Sequence, residues 1–120
     1  GASAPVTATT AYWEGDAEGD QAGGAIGTLP DLEGDGAHEI LISSPYADLS
    51  DREGVVYLVY SRMGSSSGSL GSASSAEFWG SEELDRVGYA LTTGDVDGDG
   101  QQELITTTYD PDDLAAAGRL

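Results

Sequence analysis

The stretch that decides the fold is "GDVDGDGQQEL", residues 94–104, which places four carboxylates within nine residues, 95–103. The chain already carries a formal net charge of -18. Like charges held this close repel strongly unless a cation lies among them. Gly98 and Gly100 permit the sharp turns that bring alternate side chains to one point. The stretch therefore predicts a tight loop folded around a positively charged ion.

The spacing of the acids in this loop favours calcium as the ion. Calcium takes six to eight oxygen ligands at roughly 2.3–2.6 Å, and carboxylates at positions 1, 3 and 5 of a tight loop can all turn inward. Position 7 would offer its backbone carbonyl, and an acid at position 9 would close the shell. The predicted ligands are Asp95, Asp97, Asp99, Gln101 through its carbonyl, and Glu103.

Two other interpretations of the loop are open to test. An ordinary acidic turn held by hydrogen bonds needs no ion. An EF-hand loop begins in the same way but requires a carboxylate at position 12 and an exiting helix. Thr106 occupies position 12 here, within a β-rich segment, which argues against the EF-hand.

The same pattern occurs a second time, beginning 64 residues earlier at Asp31. "DLEGDGAHEILIS" aligns with "DVDGDGQQELITT" almost without a gap, so the chain holds two copies of one unit. We therefore expect about two calcium ions per chain, and a looser first site because Glu33 is longer than Asp97. The predicted ligands of the first copy are Asp31, Glu33, Asp35, Ala37 through its carbonyl, and Glu39.

The segments around both loops predict an all-β chain, because they are short, rich in β-branched and aromatic residues and separated by turn residues. Repeat 1 is expected at about 11–62 and repeat 2 at about 76–120, with a Ser/Gly-rich surface loop at about 63–75 between them. The predicted strands are "GAIGTL" from Gly24, "EILIS" from Glu39, "GVVYLVY" from Gly54, a strand near Phe78, "GYALTT" from Gly88 and "ELITT" from Glu103.

The order of these features resembles the FG-GAP repeat, the blade unit of integrin α-subunit β-propellers and of many secreted bacterial proteins. A glycine-containing strand, a D-x-[DE]-x-D-G-x-x-E loop, an apolar strand, a variable turn and a G-x-V-Y-type strand follow one another, from about Tyr12 to Leu120. Gly23-Gly24 and Val87-Gly88 stand where the family has Phe-Gly. The resemblance implies two four-stranded propeller blades.

Two blades imply partners, because closed propellers have about four to eight blades and open sheet edges invite pairing. We expect a six- to eight-bladed propeller, formed either by three or four copies of the chain in a ring or as part of a longer chain. The strand near Tyr12 is similar to the outer strand of a preceding blade, so the N-terminal strand of one copy is expected to complete its neighbour's blade.

The composition excludes several classes of function. Nucleic acid is an unfavourable partner, because 22 acidic residues face four arginines and no lysine. No apolar run approaches the roughly 20 residues that a membrane-spanning helix needs, so no membrane insertion is expected. The chain has no cysteine, which excludes a disulfide framework and a thiolate zinc site.

The expected function is therefore that of a non-enzymatic calcium-binding scaffold, secreted, at the cell surface or in the periplasm. By analogy with integrin-like propellers, it would serve adhesion or recognition of an extracellular protein or glycan. The alternative is a segment of a propeller-fold extracellular enzyme, of the polysaccharide lyase or hydrolase type, whose catalytic residues lie elsewhere. Catalysis within this chain is disfavoured because it has one histidine and no lysine.

Overall fold

The computed structural model describes residues 12–48, 53–60, 68–80 and 85–109. These ranges contain eight strands and one helical turn, and the sheets are mainly antiparallel, so the chain is all-β as predicted. The elements are β1 (Trp13–Glu14), β2 (Ile26–Leu29), β3 (Glu39–Asp48), β4 (Glu53–Val59), β5 (Gly68–Ser69), α1 (Leu70–Ala73), β6 (Ala76–Trp79), β7 (Leu91–Gly94) and β8 (Glu103–Thr106).

A four-stranded antiparallel sheet in the order β2-β3-β4-β6 forms the centre of the structure. Ile26 pairs with Ile42, and Val56 pairs with Phe78. The six residues 54–59 of β4 are all buried, because both faces of this strand are covered. β6 completes the sheet although the sequence repeat assigns residues 76–79 to the second copy. The sheet boundary therefore falls later in the chain than the repeat boundary.

Each face of the sheet carries its own apolar cluster, because successive side chains of a strand point to opposite faces. One cluster packs toward the second hairpin, with Leu91 and Leu104 at its margin. The other packs against the N-terminal segment through Trp13. The first cluster is Leu29, Leu41, Val56, Leu58 and Val87, and the second is Ile42, Ala47, Val55, Tyr57, Val59 and Leu70.

The strands β7 and β8 form the second hairpin, which contains the acidic loop of the second copy of the repeat. It lies beside β2, where the Thr93 hydroxyl donates to the Thr28 carbonyl at 2.9 Å. The approach is close enough that a Cβ atom on Gly27 would lie 2.7 Å from Leu91 Cδ1. The strands that precede the two loops, β2 and β7, are thus neighbours. The stretch "GRL", from Gly118, corresponds in the repeat to the start of "GVVYLVY" and is expected to begin a strand, but it lies outside the described residues.

The segment 68–75 differs from the surface loop that its Ser/Gly content predicts. β5 pairs in parallel with β1, and α1 follows directly. Leu70 is fully buried in the cluster that contains Tyr57, because it is a large apolar side chain beside an apolar sheet face. β1 pairs with β5 in this structure, rather than serving as the outer strand of a four-stranded antiparallel sheet.

The Asp16 carboxylate connects the segment 68–75 to the central sheet by hydrogen bonds. Its Oδ2 atom accepts hydrogen bonds from the Tyr57 hydroxyl and from the Gly71 N–H, both at 3.0 Å. Burial, followed by the hydrogen bond to Asp16, raises the pKa of Tyr57 well above its ordinary value. The tyrosine hydroxyl therefore keeps its proton and donates a hydrogen bond to the carboxylate.

Gly88, which stands in the second copy where the family has the glycine of Phe-Gly, provides a test of this packing. Gly88 has φ 88°, and a Cβ atom there would lie 2.6 Å from Ser43 Cβ. Gly88→Ala should lower the free energy of unfolding by at least about 2 kcal/mol, because the left-handed conformation costs about 1–2 kcal/mol and overpacking costs about 1–3 kcal/mol. The measurement is urea denaturation of the full chain.

Gly94→Ala is the matched control, because no heavy atom lies within 4 Å of a Cβ atom placed there. Its free energy of unfolding should stay within about 1 kcal/mol of the parent chain. Equal effects of the two substitutions would contradict the packing described for Gly88.

Candidate metal centre

The first loop, residues 31–39, turns around the carboxylate of Asp31. Its Oδ1 accepts from the Gly34 N–H at 2.6 Å and the Asp35 N–H at 3.0 Å, and its Oδ2 accepts from the Gly36 N–H at 2.6 Å. The Gly36 N–H above all lowers the pKa of Asp31 below its ordinary value, and this outweighs the opposing effect of desolvation. Gly34 and Gly36 have φ of 78° and 89°, which allows the turn. The loop thus folds around an ionised acid.

The second loop, residues 95–103, makes the same turn. The two Asp95 carboxylate oxygens accept from the Gly98 N–H at 2.7 Å and the Gly100 N–H at 2.9 Å. Gly98 and Gly100 have φ of 79° and 91°, close to the values of the first loop. The sequence repeat is therefore also a repeat of backbone geometry.

The acid at position 9 closes each loop by a hydrogen bond back to its start. Glu39 Oε1 accepts from the Leu32 N–H at 3.0 Å. Glu103 Oε2 accepts from the Val96 N–H at 2.8 Å. Position 9, which the sequence predicts as the last ligand, therefore lies against the second residue of its own loop in both copies.

Three carboxylates converge in the second loop. One oxygen each from Asp95, Asp97 and Asp99 lie within 4.8 Å of one another, and all three side chains are exposed. Two oxygens bound to the same calcium ion at about 2.3–2.6 Å are at most about 5.2 Å apart. These separations are therefore compatible with a single hard cation among the three acids.

Hydrogen bonds within the second loop hold these carboxylates in place. Asp97 Oδ1 accepts from the Asp99 N–H at 3.0 Å, and Asp99 Oδ1 accepts from the Gln101 N–H at 2.8 Å. Gln101 Nε2 also donates to Asp99 Oδ2, at 3.3 Å. A carboxylate has about four lone-pair sites, so each acid retains sites for an ion.

The first loop has a different arrangement of acids. Among the residues that the structure describes, Asp31, Glu33 and Asp35 do not form a convergent group like that of the second loop. Asp35 Oδ1 accepts from the N–H of Ala37, at position 7, at 2.8 Å.

Glu39 distinguishes the first loop most clearly. This side chain is 1% exposed. Its Oε2 atom is buried and has no hydrogen-bond partner in the described part of the chain. Buried carboxylate oxygens are almost always paired with a donor or a cation. The predicted ligand atoms of both loops are oxygens, the atoms that hard cations prefer, and the unpaired atom of Glu39 is of this type.

No helix within the described ranges is long and apolar enough to cross a membrane.

Part of the chain is similar to a known protein family. No curated protein matches the chain. Residues 87–120 match the family model of the FG-GAP repeat. The match contains the whole second loop, including the convergent acids, whereas residues 31–39 lie outside it. Residues 87–120 therefore contain an FG-GAP repeat.

Proposed function

We propose that the chain is a calcium-binding β-propeller module whose ions are structural, and that it serves as an extracellular scaffold for adhesion or protein recognition. The observation that carries this proposal is the convergence of Asp95, Asp97 and Asp99 within 4.8 Å, inside the region matched as an FG-GAP repeat. The repetition of the same turn around Asp31 supports a second ion.

The proposed role of each ion is to make a repulsive loop stable. Each loop holds four acids in nine residues, and their mutual repulsion opposes the folded turn. A divalent cation replaces this repulsion with attraction to all four acids. Because the ion binds the folded loop and not the extended chain, calcium at about 100 times its Kd would add about 2.7 kcal/mol to stability.

The sheet order supports the assignment of propeller blades. The strands β2, β3, β4 and β6 follow one another in antiparallel order, as in a propeller blade. We infer that these four strands are one blade and that β7 and β8 begin the next. The hydrogen bond from Thr93 to Thr28 joins the first strands of the two inferred blades.

Exposed aromatic side chains support the presence of further blades. Tyr89 and Tyr109 stack with ring centroids 4.9 Å apart, and both are more than two-fifths exposed. Phe78 and Trp79 are similarly exposed on β6, the last strand of the sheet. We propose that neighbouring blades cover these surfaces, either from a ring of three or four copies or from the rest of a longer propeller.

The proposed setting is extracellular, at the cell surface or in the periplasm, with an extracellular protein or glycan as the partner. Adhesion is proposed by analogy with integrin-like propellers. We propose no catalytic role for this chain, and in the enzymatic alternative the reacting groups belong to other parts of a larger protein.

Calcium titration calorimetry of the full chain tests the proposed sites. The parent chain should bind two ions, and Asp97→Asn should lose one, because a neutral amide replaces a carboxylate at position 3. Glu18→Gln is the control, since Glu18 is exposed, lies outside both loops and gives the same change in charge. Equal loss of binding in both variants would indicate a diffuse acidic surface rather than a site.

Light scattering in calcium tests the proposed ring. A ring closed by copies of this chain should give a mass of three or four chains, because the expected six or eight blades require three or four chains of two blades each. A single-chain mass at the same protein and calcium concentrations would contradict the ring of copies.

A further inference from the structure

The two loops place their position-9 acids in different parts of the fold. Glu39 is the first residue of β3, which has β2 on one side and β4 on the other. Glu103 is the first residue of β8, which pairs with β7 in the second hairpin. Glu39 is buried and Glu103 is only half-buried. The same position of the repeat is therefore inside the sheet in one copy and near the surface in the other.

The surroundings of Glu39 connect its carboxylate to the core. It pairs with Leu29, and Leu41 follows two residues later on the strand. Leu29 and Leu41 belong to the apolar cluster that also contains Val56. A change in the energy of the Glu39 carboxylate therefore changes the stability of the sheet as well as that of the loop.

The unpaired Oε2 atom of Glu39 makes the metal-free sheet costly to form. A carboxylate oxygen removed from water without a partner loses its hydration and gains nothing in return. The half-buried Glu103 keeps contact with water, and neither of its oxygens is among the buried unpaired atoms of the described chain. The same cation would therefore relieve a larger penalty in the first loop than in the second.

The electrostatic attraction between a calcium ion and the position-9 carboxylate also favours a larger effect in the first loop. It varies inversely with the effective dielectric constant, which falls from about 80 in water to about 20 near a protein surface, so that a charge pair attracts about four times more strongly. This effect opposes that of the longer Glu33 side chain, which predicts a looser first site.

We propose that calcium in the first loop controls the folding of the four-stranded sheet through Glu39, whereas calcium in the second loop orders mainly its own hairpin. The inference rests on the calcium-binding function proposed above. It assigns different roles to two loops with the same pattern of acids. The first ion stabilises the core of the central sheet, and the second stabilises mainly the hairpin of β7 and β8.

Thermal unfolding of Glu39→Gln and Glu103→Gln, each in calcium and in excess chelator, tests the proposal. In chelator, Glu39→Gln should melt at a higher temperature than the parent chain, because the buried unpaired charge is gone. In calcium it should lose most of the calcium-induced rise in Tm and melt below the parent. Glu103→Gln is the matched control and should keep most of the rise.

Amide hydrogen exchange of the parent chain provides a readout that does not depend on the variants folding. Calcium should slow exchange at Leu41 and Val56 in the central sheet by a larger factor than at Leu91 and Leu104 in the second hairpin. Slowing confined to the second hairpin would overturn the proposal.

The outcomes distinguish the role of Glu39 from calcium binding itself. If the parent chain binds two ions but Glu39→Gln and Glu103→Gln lose equal parts of the rise in Tm, the role of Glu39 is wrong and calcium binding stands. If calcium neither binds nor changes the Tm of the parent chain, the proposed function fails, and this inference fails with it.

Discussion

The mutual repulsion of four carboxylates within nine residues is the constraint on which the structure depends. Each of the two loops joins neighbouring antiparallel strands, so its acids must be brought together before the strands can pair. Asp31 and Asp95 initiate the turn by accepting backbone N–H groups, and glycines with positive φ let the chain curve around them. These hydrogen bonds offset part of the repulsion. A cation among the acids would offset the remainder, which connects the proposed ions to the stability of the sheets.

The second physical requirement is that both faces of the central sheet be covered. β4 is buried along nearly its whole length, so both faces of this strand are covered. The segment that contains Trp13 and Leu70 covers one face, and the second hairpin covers the other. Hydrogen bonds from Tyr57 and Gly71 to Asp16 hold the first of these segments in place. The second hairpin packs through apolar contacts and through the hydrogen bond from Thr93. A repeat unit of this kind buries its core only with a neighbour, which explains why the copies lie side by side.

Much of the fold can be predicted from the sequence because its signals are local. The β-branched runs, the turn glycines and the spacing of Asp95, Asp97 and Asp99 specify the strands and the convergent loop without reference to the rest of the chain. The parallel pairing of β1 with β5 and the burial of Leu70 cannot be predicted in this way, since both depend on which sheet face lies nearby. The difference between Glu39 and Glu103 has the same origin. Both residues precede apolar strands in matching patterns, and only the strands packed on either side determine which carboxylate is buried.

A crystal structure of the full chain grown in calcium, with anomalous differences used to locate the ions, tests the central claim most directly. The account predicts one ion at about 2.3–2.6 Å from carboxylate oxygens of Asp95, Asp97 and Asp99, and a second in contact with Glu39 Oε2. Density without an ion in either loop, with the acids bonded only to the N–H groups of their own turn, would contradict it.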